Sequence, residues 1–159
     1  MIRRTMIFND VHLPWNDSIL ITTDAKGLVL DICEDLKIDS ILIAGDLLDM
    51  YNVSSYGQSP DVIETLETEL QAGRTFVHAL RKRFPKTDIT YLEGNHEDRL
   101  SRFILKHSKA FWNLFTVEKY LGLEDLNIKY YPYNYKYRIE KTSCFVMHSP
   151  PSYGVNGAR

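Results

Sequence analysis

Three short apolar runs set the strongest constraint on how this chain folds. Thr5–Phe8, Ser40–Ala44 and Asp88–Leu92 each stop at polar residues, namely Asn9-Asp10, Gly45-Asp46 and Glu93-Gly94-Asn95-His96. Short apolar runs bounded this way read as buried strands. Between the first two, Leu28, Val29, Ile32, Cys33 and Leu36 recur at helical spacing within Asp24–Lys37, although Gly27 weakens the first turn. Between the last two, Ser59-Pro60-Asp61 predicts a helix start, with Ile63, Leu66, Leu70, Gly73, Val77, Leu80 and Phe84 on one face before Pro85 closes it. A β-α-β-α-β order predicts a parallel sheet covered by helices, so the fold class is α/β.

The pattern then changes. A helix is expected from Glu97 to Lys109, with less regular turns to Leu121. Three strands, antiparallel in pattern, are expected at Asn127–Tyr131, Tyr135–Glu140 and Ser143–His148, the last two joined by a tight turn at Lys141-Thr142. With 159 residues and no linker, repeat or low-complexity tract, the chain reads as one domain over 1–159.

Charge bounds the partners. Lys and Arg number 19 against 21 Asp and Glu, a formal net charge of -2, which excludes a globally basic nucleic-acid binder and leaves room for a local basic strip. No apolar run has the length of a membrane span, and no signal-peptide core precedes Asn9. Cys33 and Cys144 lie in apolar contexts and read as buried thiols of a reducing compartment, so a cytoplasmic location and no membrane partner are expected.

The chemistry collects at the strand ends, where open α/β sheets bind ligands. Asp10 and His12 at i and i+2 would point the same way in an extended chain. Gly45 and Gly94 permit sharp exits before Asp46 and before Asn95-His96, and His148 stands at the end of the last strand. Each piece alone has a structural reading: a polar strand end, a turn, or Asn95 as a helix cap. Together and in this order they point to metal, and mixed Asp, Asn and His donors suit Mn, Fe, Zn or Ni better than Ca.

In these motifs, Asp10-Val11-His12, Gly45-Asp46, Gly94-Asn95-His96-Glu97 and His148, the chain resembles the calcineurin-like metallophosphoesterases. The resemblance implies a β-sandwich flanked by helices with two divalent metal ions at the strand ends, manganese first and iron, zinc or nickel as alternatives. It implies that Asp10 and His12 hold one ion, Asn95 and His148 the other, and Asp46 both. His96 would be the general acid and Asp49 the group orienting it. The reaction would be hydrolysis of a phosphoester by a metal-bridging hydroxide, with a proton passed from His96 to the leaving oxygen.

Departures accompany the likeness. The family's closing Gly-His-x-His is absent before Arg159, so the domain is expected to lack C-terminal strands. A longer parent chain, a ligand from water or a partner, and a vestigial site all stay open. Leu13 and Met50-Tyr51 stand where the phosphatase branch has Gly and Arg-Gly, which disfavours a phosphoprotein phosphatase. His78 and His107 read as packed or surface residues.

Arg99, Arg102, Lys106 and Lys109 form a helical stripe, with Arg99 near enough to the motif to clamp a phosphate; the alternative is a solvated helix face. Tyr133, Tyr135 and Tyr137 would share a strand face, to stack bases or simply to pack, and Trp15 would line the pocket rim or plug a loop. The expected substrate is therefore a phosphodiester of nucleotide or nucleic acid. The rival expectation is a non-catalytic scaffold of the same fold with a degenerate metal site.

Overall fold

The computed structural model describes residues 3–57 and 59–148. Four strands, β1 (Thr5–Phe8), β2 (Ser40–Ala44), β3 (Asp88–Leu92) and β4 (Lys129–Tyr131), form one sheet in the order β1-β2-β3-β4, and every neighbouring pair is parallel. Helix α1 (Leu28–Asp35) joins β1 to β2, α2 (Leu66–Arg83) joins β2 to β3, and α3 (Asn95–Ser108) with α4 (Val117–Leu121) joins β3 to β4. Right-handed crossovers between adjacent parallel strands place all these helices on one face.

The side chains agree with the two-residue strand period. Ile41, Ile43, Ile89 and Tyr91 face the helices and pack with Leu30, Cys33, Phe76, Val77, Leu80, Leu100 and Leu121 in the main core. Leu42, Ala44 and Leu92 face the other way, where Tyr131, Tyr137 and Val146 cover them. That cover comes from an antiparallel pair, β5 (Tyr137–Arg138) and β6 (Phe145–Val146).

The fold class is thus α/β, as the alternation predicts, with several local corrections. The fourth strand is parallel, because α3 and α4 make its connection a third crossover. Ser59 accepts from the Asp61 amide at 3.3 Å and closes only a local turn, leaving Ile63 exposed. The helix begins after Thr65, whose side chain accepts from the Thr68 amide while the Thr68 hydroxyl accepts from the Thr65 amide. In α1 the buried residues are Leu30 and Cys33, and Leu28, Ile32 and Leu36 are exposed.

The tyrosine row does not form. Tyr135 turns back through a bond from its amide to the Pro132 carbonyl and stacks on Tyr131 with ring centroids 4.3 Å apart. Cys144 is exposed rather than buried, since it lies beside the tight hairpin turn. No helix among the described residues is long and apolar enough to cross a membrane.

Candidate metal centre

The carboxyl ends of β1, β2 and β3 come level because their registers pair Phe8 with Ile43 and Ala44 with Leu92. Beyond them the first two loops keep running side by side. The amides of Asp10, His12 and Leu13 donate to the carbonyls of Gly45, Asp46 and Leu47 at 3.2, 3.1 and 2.8 Å. The loops are not extended: Asp10, His12 and Asp46 all have left-handed backbones, with φ of 53°, 53° and 52°. Such backbones are uncommon outside glycine and cost free energy that the surrounding bonds must offset. The side chains of Asp10 and His12 still converge, with His12 Nε2 3.7 Å from Asp10 Oδ1, but through this geometry and not through strand alternation.

Two glycines let the strand ends meet. A Cβ on Gly45, whose φ is +95°, would fall 2.4 Å from the His148 ring and 2.9 Å from the Gly94 Cα. A Cβ on Gly94 would fall 2.1 Å from Asp46 Oδ1. Real Cβ atoms do not approach so closely, so Asp46 and His148 occupy space that only glycine leaves.

Asp46 is the centre of the arrangement. Its Oδ1 accepts from the His96 amide at 3.0 Å, in the first turn of α3. Its Oδ2 lies 3.1 Å from His148 Nε2 and 3.7 Å from His96 Nε2. Burial opposes its charge, but His148 and the His96 amide outweigh that and hold the carboxyl below its ordinary value. The same contact with Asp46 pushes His148 up to about 9. His148 is aimed by its Nδ1, 2.7 Å from the Ala44 carbonyl, and its Nε2 also lies 3.0 Å from Asn95 Oδ1.

Two groups of donor atoms result. His12, Asp46 and His96 each bring one donor within 4.8 Å of the others, and so do Asp10, Asp46 and His148. Asp46 belongs to both. The first group gathers His96 beside His12, where the family likeness implies His12 with Asp10. The second faces a cleft of about 380 Å³ lined by Asp10, Asp46, Asn95 and His148. The donor chemistry fits a borderline divalent ion, and the buried His12 Nδ1 has no hydrogen-bond partner among the described residues. The Asp49 carboxylate stands 3.4 Å from that nitrogen and raises the His12 pKa, while Asp49 is held far below the usual carboxylate range by His12 and then His96.

His96 is tied on both sides. Its Nδ1 lies 2.7 Å from the backbone carbonyl of Asp49, and its Nε2 lies 2.7 Å from the Arg99 guanidinium. Arginine can only donate, so Nε2 accepts and the ring proton sits on Nδ1. Asp49 therefore meets His96 mainly through its carbonyl; its carboxylate is 3.6 Å from the same nitrogen. Arg99 also donates to the Asp49 carbonyl at 3.0 Å, so it has left the helical stripe and joined the site. Trp15 is 41% exposed and rests edge-on against Tyr51.

Glu97 is the residue that sequence reasoning missed. It is fully buried and accepts four bonds, from the amides of Asp46, Leu48 and Gly94 at 3.1, 2.9 and 2.9 Å and from the Tyr91 hydroxyl at 2.9 Å. All four partners donate to its oxygens, opposing the burial that pushes the carboxyl above its ordinary value. The only sequence signal was an acid three residues after Gly94, the spacing at which a side chain reaches back to a helix cap. His78 and His107 are exposed; His107 packs against Phe103 with centroids 4.6 Å apart.

No family model, no curated protein and no solved structure matches this chain.

Proposed function

We propose that the chain is a metal-dependent phosphoesterase of the calcineurin-like type, acting on a phosphodiester. The single observation that carries this reading is the carboxylate of Asp46, shared by two donor groups where three parallel strands end, with His96 beside it. Asp10, His12, Asp46, Asn95 and His148 would hold two divalent ions, manganese first, which would neutralise phosphoryl charge and acidify the attacking water. The small β5–β6 layer over the second face of the sheet supports the sandwich reading of the fold.

The chain's own residues supply the rest. Arg99 donates to His96 Nε2. An anionic phosphoester would draw the guanidinium onto its own oxygens, since charge-assisted bonds to phosphate are stronger than a bond to a neutral ring. Nε2 would then be open to take a proton from solvent and pass it to the leaving oxygen. The Asp49 carbonyl would keep the ring aimed throughout.

The test is elemental analysis of the Mn²⁺-loaded chain, followed by assay on bis(p-nitrophenyl) phosphate and p-nitrophenyl phosphate. Two bound ions and faster cleavage of the diester are expected. A chain that binds no ion and cleaves neither compound is a scaffold, and the proposal falls.

A further inference from the structure

The helix that delivers His96 and Arg99 continues into a surface of unusual composition. Along α3, residues three and four apart are neighbours, so Phe103, Lys106 and His107 follow on from Arg99, whose guanidinium itself turns back to His96. The line runs on into the short 3-10 turn Lys109–Phe111. There a groove of about 770 Å³ opens between α2, α3 and the segment before α4, floored by Leu70, Leu100, Ile104, Phe103, Phe111 and Phe115. Its aromatic rings are half in water: Phe103 is 44% exposed, Phe111 50% and Phe115 55%.

Charge selects the occupant. Arg74, Lys119 and His107 line the groove against one acid, Glu67, and Lys106 and Lys109 immediately precede and follow the lining pair His107-Ser108 in the chain. Lys106 and Lys109 are exposed and have no ion-pair partner among the described residues. This is a local excess of cations in a chain whose net charge is -2. An apolar protein helix would be indifferent to those lysines, and a duplex offers no bases for the rings.

We infer that the α3 line and the aromatic groove beyond it form a track for single-stranded nucleic acid, which it feeds toward His96 and Arg99. Cations would follow the phosphates while exposed rings stack bases, the two elements shared by sequence-tolerant single-strand binders. The inference rests on the phosphodiesterase reading of the site and names its substrate class.

Binding is tested apart from chemistry, by fluorescence anisotropy of a labelled oligothymidylate of about 20 nucleotides and a duplex of equal length, with EDTA present. The single strand should bind more tightly than the duplex. Lys106→Ala/Lys109→Ala, which removes two exposed and unpartnered cations, should flatten the slope of log K against log salt by about 1.4. Phe111→Ala should weaken binding about tenfold and leave that slope unchanged. Phe111→Trp should restore binding, which separates a lost stacking ring from a damaged fold.

Absence of oligonucleotide binding at low salt overturns the track. So does equal binding of duplex with no effect of Phe111→Ala, or sedimentation as a dimer in which Phe111 is protected. If a small phosphodiester is cut but no oligonucleotide binds, the track fails and the reading of the site stands. If the oligonucleotide binds as expected and no diester is cut with Mn²⁺, the site reading fails and the track stands.

Discussion

Glu97 holds Asp46 by its backbone: the Asp46 amide donates to Glu97 Oε2 at 3.1 Å, while Glu97 Oε1 takes the amide of Leu48 at 2.9 Å. The same carboxylate reaches back to Gly94 at 2.9 Å. One buried acid thus joins the loop after β2 to the loop after β3. Glu97→Gln replaces an acceptor-only group with one that must point an NH₂ at a donor. The expected loss of stability is about 2–4 kcal/mol, read as a lowered urea midpoint. An unchanged midpoint would show that the loops are held by other means.

Asp46→Asn separates the two duties of that side chain. The amide oxygen can still accept from the His96 amide, so α3 and the fold should persist by circular dichroism. The charge shared by both donor groups is gone, and manganese content should fall at both positions rather than one. Gly94→Ala should have the same effect with added destabilisation, because its Cβ displaces Asp46 Oδ1.

His96→Ala should slow phosphodiester turnover at least ~10²-fold with manganese content unchanged. Loss of metal instead would make His96 a ligand, as its place in a donor group with His12 and Asp46 also permits.

Arg99→Ala should leave the fold intact and free His96 Nε2, since Arg99 donates to it. Nitrogen NMR of the metal-free chain should then show the proton still on Nδ1, where the Asp49 carbonyl holds it, and a shifted Nε2 resonance because its donor is lost. An Nε2 resonance identical to wild type would show that Arg99 does not donate to that nitrogen.

The two thiols should differ in reactivity. Cys144 is exposed and should be alkylated in the folded chain, whereas Cys33 should react only on unfolding. Burial pushes the Cys33 thiol up to about 11 from an ordinary 9.0. Between those values the folded chain keeps a proton that the unfolded chain gives up, so stability should fall as pH rises above about 9. Cys33→Ala should remove the part of that decline in the thermal midpoint that begins near pH 9, leaving the part above about pH 10 that the Tyr91 and Tyr130 hydroxyls, pushed up by burial, contribute.

The strands and the candidate donor residues were legible because each is a local signal: an apolar run, then a turn-forming residue, then a residue type able to bind metal. Asp10, Asp46, Asn95 and His148 needed only the rule that strand ends face one cleft. The role of Glu97, and the bonds of Arg99 to His96 and Asp49, were hidden because they depend on distant segments, Asp46 standing 51 positions before Glu97 and Asp49 standing 50 before Arg99. The helix start at Ser59 misled for a different reason. A serine that caps a helix and one that closes a single turn make the same first bond, and only the reciprocal Thr65–Thr68 pair decides where α2 begins.

The β5–β6 hairpin has a consequence for how the two halves of the centre open. His12, Asp46 and His96 stand on the parallel sheet and α3, among the most deeply packed parts of the chain. His148 follows a ladder of only two residue pairs, seated on Leu42, Ala44 and Leu92 through Tyr137 and Val146. Local unfolding free energy tracks such contacts, so the hairpin can lift while the sheet stays closed. The site is thus anchored unevenly, like a door with three strong hinges on the sheet side and one thin latch, since on the hairpin side His148 depends on its own bonds to Ala44, Asn95 and Asp46 to stay seated.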